Sequence, residues 1–153
     1  MVELRSILGI LRRADEDAPR APTPSLVRLD ELVSRSNAAG LDVQVDIEGD
    51  LGSLPRNVDV AAYRIIQESR TNVARHADRA GAVVRVRAAA DALNVEVLDE
   101  GSGPTAAPDL PSGGNGIAGM RERATAIGGS FEAGPRPGRG FAVRARLPIG
   151  EAP

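Results

Sequence analysis

Glu68 and Asn72 stand four residues apart in Glu68-Ser-Arg-Thr-Asn72. On a helix that spacing projects a carboxylate and an amide side by side. The amide offers Mg²⁺ a neutral oxygen, and that ion takes few protein ligands beside phosphate and water. The carboxylate accepts a proton from an attacking group, or orients that group toward a γ-phosphate. Arg75 and His76, a turn further on, are placed to meet phosphate oxygens. Alone, such a pair is usually a solvated helix face, so its meaning depends on what accompanies it.

Three glycine-bearing segments accompany it, in order: Asp99-Glu-Gly101-Ser-Gly103, Gly114-Asn-Gly116-Ile-Ala-Gly119-Met120 and Gly138-Arg-Gly140-Phe141. Asp99 follows the apolar Val95, Val97 and Leu98 and is therefore expected half-buried at a strand end. A buried carboxylate needs a partner. An exocyclic amine such as adenine N6 is one, and a hydrogen bond to a charged group contributes about 1.5–3 kcal/mol. Gly101 and Gly103 let the backbone run close beneath a flat base. Gly114, Gly116 and Gly119 open a helix, whose free N–H groups and dipole form an anion site without any Lys. The same glycine spacing occurs in dinucleotide folds, but there it follows a strand directly. Here it follows a Gly/Pro-rich stretch, read as a lid over residues 100–116. The four segments together point to an ATP site.

The elements that position these residues are read from periodicity. Pro55 to Ala77 is the longest expected helix, with Ala62, Ile65, Ile66, Ser69 and Val73 on one arc facing a sheet. Glu68, Asn72, Arg75 and His76 occupy the adjoining arc, at the border of the buried face. Ser25 is a plausible N-cap for a helix carrying Leu26, Leu29, Leu32 and Val33 and ending near Gly40. Leu41 to Ile47 alternates as a half-buried strand. Val83–Ala89 and Leu93–Leu98 form a pair of strands, and Ile117–Ile127 a helix stopped by Gly128-Gly129. Ser130–Ala133 and Phe141–Leu147 form a last hairpin around Pro135 to Gly140. The expected fold class is α+β, a two-layer sandwich of a mixed sheet with helices on one face. Leu4, Ile7, Leu8 and Leu11 place a short amphipathic helix ahead of it, and the charged, Pro-rich residues 14–24 read as a linker. That leaves 25–150 as the domain proper.

Composition narrows the chemistry. At 153 residues one domain with a real core is expected. The core is aliphatic, because Tyr63, Phe131 and Phe141 are the only aromatics. A net charge of −2 lends no support to a nucleic-acid surface. The chain has no Cys and one His, which excludes disulfides, thiolate sites and a His cluster for zinc. All 19 basic residues are Arg, so a lysine-bearing Walker A loop is excluded as well. No apolar run approaches the roughly 18 residues that span a bilayer. A soluble, cytoplasmic domain without membrane contact is expected, whose parent protein is free to carry a membrane anchor.

In this order the segments resemble the ATP-binding domain of two-component sensor histidine kinases, within the GHKL superfamily of Bergerat-fold ATPases. Tyr63 to Ala77 resembles that family's asparagine box, Asp99 to Gly103 its first glycine box, and Gly114 to Arg123 with Gly128-Gly129 its second. The Met120-Arg-Glu-Arg123 run resembles the subfamily partnered with helix-turn-helix response regulators. The resemblance implies that Asn72 binds Mg²⁺, that Glu68 assists phosphoryl transfer and that Asp99 reads adenine. Gly101 and Gly103 shape the base pocket, while Gly114, Gly116 and Gly119, with Ile117 and Met120 beside them, serve the lid and phosphates. It also implies that residues 1–13 are the tail of a dimerising, phosphoacceptor domain, and that ATP and Mg²⁺ are the ligands.

The match has departures. The phosphoacceptor His is missing, since His76 lies inside the expected ATP site. A fragment, or a subunit acting in trans on a separate phosphoacceptor domain, is therefore expected, with the response regulator an indirect partner. Ser69-Arg70 stand where small and aliphatic residues are more frequent, and Arg70 is expected to snorkel from the buried arc. Asn115 stands where a His is frequent between the two glycines. Two alternatives remain at this level: a same-fold serine kinase that sequesters a sigma factor or its antagonist, and a non-catalytic nucleotide-binding module.

Overall fold

The computed structural model describes residues 23–76, 81–101 and 114–150. The expected helix at 3–13, most of the linker, Gly103 and the central part of the lid lie outside the described residues, as do the side chains of His76 and Asn115. A 3-10 turn, Leu26–Arg28, leads into α1 (Leu29–Ala38). Then follow β1 (Val43–Glu48), α2 (Arg56–His76), β2 (Ala82–Ala88), β3 (Ala92–Asp99), α3 (Gly114–Ala126), β4 (Ser130–Pro135) and β5 (Phe141–Pro148).

The domain begins with a local lock. Ser25 accepts from the Val27 N–H at 3.3 Å and donates to Asp59 Oδ2 at 2.6 Å, while Leu26 N–H donates to Asp59 Oδ1 at 2.8 Å. Ser25 thus caps the 3-10 turn and fastens it to the first turn of α2. At the other end of α1, Gly40 N–H reaches the Asn37 carbonyl and Leu41 N–H the Ser36 carbonyl, both at 3.0 Å. This pair of hydrogen bonds is the expected glycine stop. Helix α3 ends the same way at Gly128 and Gly129.

The five strands lie in the order β1-β2-β3-β5-β4. β1 runs parallel to β2, which requires a crossover, and α2 supplies it. The remaining pairs are antiparallel. β5 is last in sequence but inserts between β3 and β4, so the hairpin at the C-terminus closes against the middle of the sheet. One face carries Val84, Val86, Leu93, Val95, Val97, Val143, Ala145 and Leu147, all buried beneath the helices. Leu29, Leu32, Val58, Ala62, Ile65, Ile66, Met120 and Ala124 cover it from the helical side. The opposite face carries charges: Glu96 pairs with Arg85 at 3.2 Å and Arg144 at 2.6 Å across neighbouring strands. This is the mixed-sheet, two-layer α+β architecture expected from the pattern.

Most boundaries shift by a residue or two from expectation, and two of the shifts have a clear physical reason. Helix α3 begins at Gly114 rather than Ile117, so Gly114 and Gly116 lie in its first turn instead of in the loop before it. Glycine has low helix propensity, but Gly116 sits against Glu68 of α2, and that packing outweighs the local preference. The strand expected from Leu41 begins at Val43, and burial falls off along this edge strand until Ile47 is 41% exposed.

Candidate functional site

Helix α2 presents its residues as their periodicity dictates. Ala62, Ile65, Ile66, Ser69 and Val73 are buried, and Glu68 and Asn72 are half-buried at the border of that arc. Arg75 is exposed, and His76 is the last residue of the helix. Arg70 does not simply snorkel to water: its Nη1 reaches Ser36 Oγ on α1 at 3.4 Å, and its buried Nε finds no partner among the described residues.

The start of α3 packs onto the Glu68 carboxylate. Gly116 leaves space for it: a Cβ there would lie 2.5 Å from Glu68 Oε1. One turn on, Met120 is buried, and its sulfur accepts from Ser69 Oγ at 3.4 Å, a hydroxyl that also bonds the Ile65 carbonyl at 2.7 Å. Ile117 and Gly119 are half-buried. Along this seam runs a half-open cleft of about 360 Å³, lined by Arg64, Gln67, Glu68, Gly116, Gly119 and Arg123. Arg64, Gln67 and Arg123 were not expected from sequence, because each alone reads as a surface residue; only the approach of the two helices makes them a wall.

Asp99 ends β3. Side chains alternate along a strand, so Asp99 shares the helix-facing side with the buried Leu93, Val95 and Val97. It emerges half-buried where that face runs out. Its backbone pairs with Ala82, and residues 77–81 are all that separate Ala82 from the end of α2. At about 3.5 Å for each step from His76 to Ala82, and about 5 Å across the strand pair, Asp99 lies within about 26 Å of the end of α2. The Asp99 carboxylate accepts the Gly101 N–H at 2.7 Å, which tightens the turn. Gly101 itself is buried.

The β4–β5 loop closes on this turn from outside. Arg136 Nη1 donates to the Asp99 carbonyl at 2.9 Å, and Arg139 Nε to the Gly101 carbonyl at 3.0 Å. Gly140, with φ of +87°, approaches the Asp99 carbonyl so closely that no Cβ fits between them. The Gly138-Arg-Gly140-Phe141 segment stands out in the sequence, but that it meets the Asp99 turn is not legible there.

Two groupings therefore exist among the described residues: Glu68 with the first turn of α3, and Asp99 with Gly101 and the β4–β5 loop. Both glycine cradles bring backbone close to an acid. Asn72 supplies one neutral oxygen beside one carboxylate, and no group of three or more metal-binding side chains forms among the described residues. That donor set suits an ion that draws most of its ligands from phosphate and water, as Mg²⁺ does. Among the described residues no helix is long and apolar enough to cross a membrane.

The sequence and the fold both match known proteins. Residues 57–151 match the family model for histidine kinase-, DNA gyrase B- and HSP90-like ATPases. The sensor histidine kinase YxjM of Bacillus subtilis is 30% identical over 148 residues, 96% of this chain and 34% of that protein. The histidine-protein kinase/phosphatase UhpB of Salmonella typhimurium is 31% identical over 134 residues, 84% of this chain and 25% of that protein. This chain thus spans about a third or less of the length of these relatives. Among solved structures, the histidine kinase domain of the blue-light activated kinase of Erythrobacter litoralis EL346 superposes with a TM-score of 0.61 at 26% identity. That match covers 80% of this chain and 64% of the other.

Proposed function

The chain belongs to the family of histidine kinase-, DNA gyrase B- and HSP90-like ATPases, and from that membership we propose that it is the ATP-binding, catalytic part of a sensor histidine kinase. In this reading it binds Mg-ATP and transfers the γ-phosphate to a histidine on a separate dimerisation and phosphoacceptor domain. A response regulator with a helix-turn-helix output domain takes the phosphate afterwards, and the reaction runs in the cytoplasm.

The observation that carries the reading is the close approach of Gly116 to Glu68, where an added Cβ would lie 2.5 Å from the carboxylate oxygen. In this reading Glu68 is a proton acceptor at the N-terminal end of a helix, where free N–H groups favour phosphate oxygens. Asp99 takes the adenine amine at the strand end, with Gly101 and Gly103 beneath the base. Arg75 and His76 meet phosphate oxygens in this reading. Asn72 holds Mg²⁺, which neutralises phosphate charge when bound. Glu68 then orients the incoming imidazole and accepts its proton as the nitrogen attacks phosphorus and ADP leaves. Most of the acceleration comes from positioning and charge stabilisation, as in other phosphoryl transfers.

The test is to mix this chain with γ-labelled Mg-ATP and a sensor-kinase dimerisation domain bearing the acceptor His. Acid-labile label on that domain supports the reading. Bound nucleotide without transfer leaves a nucleotide-binding module, and acid-stable label favours a serine kinase.

A further inference from the structure

The loop between β4 and β5 has no part in the reaction as described, yet it holds the Asp99–Gly101 turn at three points. Arg136 and Arg139 each donate to one of the turn's carbonyls, at 2.9 and 3.0 Å. Gly140 packs flush against the first of these carbonyls. The loop is fastened to itself as well, by Arg136 N–H to the Gly140 carbonyl at 2.9 Å. These contacts join parts of the chain that lie 37 and 38 residues apart in sequence.

Each contact removes a particular freedom. A donor on the Asp99 carbonyl fixes the peptide plane leaving Asp99, and hence the direction of its Cα–Cβ bond. The Gly101 N–H on Oδ1 fixes the carboxylate's rotation. The guanidinium on the Gly101 carbonyl keeps that N–H donor in place. A planar, permanently charged guanidinium suits such a role better than a flexible ammonium.

We propose that Arg136 and Arg139 are positioning residues for base selection, which hold the Asp99 carboxylate where an adenine amine meets it and a guanine oxygen is repelled. The inference rests on the assignment of Asp99 to the base. Adenine offers a donor at C6 and guanine an acceptor, so two acceptors would face each other with GTP. That rejection is strict only if the carboxylate cannot swing aside. Arg136 is half-buried and Arg139 exposed, so neither fills the core.

Calorimetric titration of Mg-ATP and Mg-GTP into the wild-type chain, Arg136→Ala, Arg139→Ala and Arg139→Lys tests it, with thermal unfolding measured without nucleotide. The wild type should prefer ATP. Each alanine variant should weaken ATP binding about fivefold, the size of one hydrogen bond, with GTP affinity little changed and the preference reduced by the same factor. Arg139→Lys keeps a donor and should retain most of the preference. A merely structural role would weaken both nucleotides in parallel and lower the unfolding temperature. A wild type that prefers ATP, beside variants whose preference is unchanged or whose two affinities fall together, overturns the inference alone. A wild type that binds neither nucleotide overturns the ATP reading and the inference with it.

Discussion

Gly116 lies against Glu68 so closely that the smallest added side chain would meet the carboxylate 2.5 Å away. A glycine that is unfavourable in a helix is here the residue that lets two helices share one acid. Gly116→Ala should therefore separate stability from activity. Helix propensity alone raises stability by about 0.5–1 kcal/mol, whereas displacement of Glu68 should cut phosphoryl transfer at least about tenfold, the cost of misplacing a reacting group. Thermal unfolding and initial transfer rates check the two halves separately.

Asp99→Asn and Glu68→Gln should have distinct effects. The first replaces a charged acceptor with a neutral amide, and a lost charged hydrogen bond of about 1.5–3 kcal/mol weakens ATP about 10- to 100-fold. The second should leave affinity within about threefold and lower transfer by about 10²–10⁴. Equal losses of affinity in both would show the two roles to be misassigned. Calorimetry with a non-hydrolysable analogue and a labelled-transfer assay suffice.

Met120 anchors α3 to α2 from a position 1% exposed. Met120→Ala should cost about 2–5 kcal/mol, as for other buried truncations. Met120→Leu, which conserves volume, should cost less than about 1.5 kcal/mol. Urea midpoints give both numbers, and ATP binding by the leucine variant should persist.

The charged face of the sheet predicts an acid-side effect. Burial pushes the Glu96 carboxyl up, but hydrogen bonds and charges from Arg144, and then Arg85, outweigh it and hold the group below its ordinary 4.5. A depressed carboxylate contributes stability that is present above the unfolded-state value and lost as pH falls through the folded one. Glu96→Gln should thus be less stable than wild type at pH 7, by about 0.5–1 kcal/mol for these largely exposed pairs. That gap should close as pH falls below about 4.5. Denaturant midpoints at pH 7, 4.5 and 3 test it, and a gap constant across the series would contradict the assignment.

Local signals carried much of the reading because each depends on neighbours in sequence. The 3.6-residue spacing of Ala62, Ile65, Ile66, Ser69 and Val73 fixes which side of α2 is buried, and so leaves Glu68 and Asn72 at its edge. Gly40 and Gly128 mark helix ends because the backbone there needs glycine whatever the fold. The start of α3 is not legible locally for the same reason: Gly114 and Gly116 look like loop residues until Glu68 is placed beside them.

Residue types alone determined the chemistry available to this protein: acids, an amide and glycine turns, with no thiol, no Lys and one imidazole. Tertiary structure decided which of these meet. The insertion of β5 between β3 and β4 carries Arg136, Arg139 and Gly140 to the Asp99 turn, and the packing of α3 on α2 sets Gly116 at Glu68. Such contacts join segments tens of residues apart, so they follow from burying one shared apolar face rather than from any local preference.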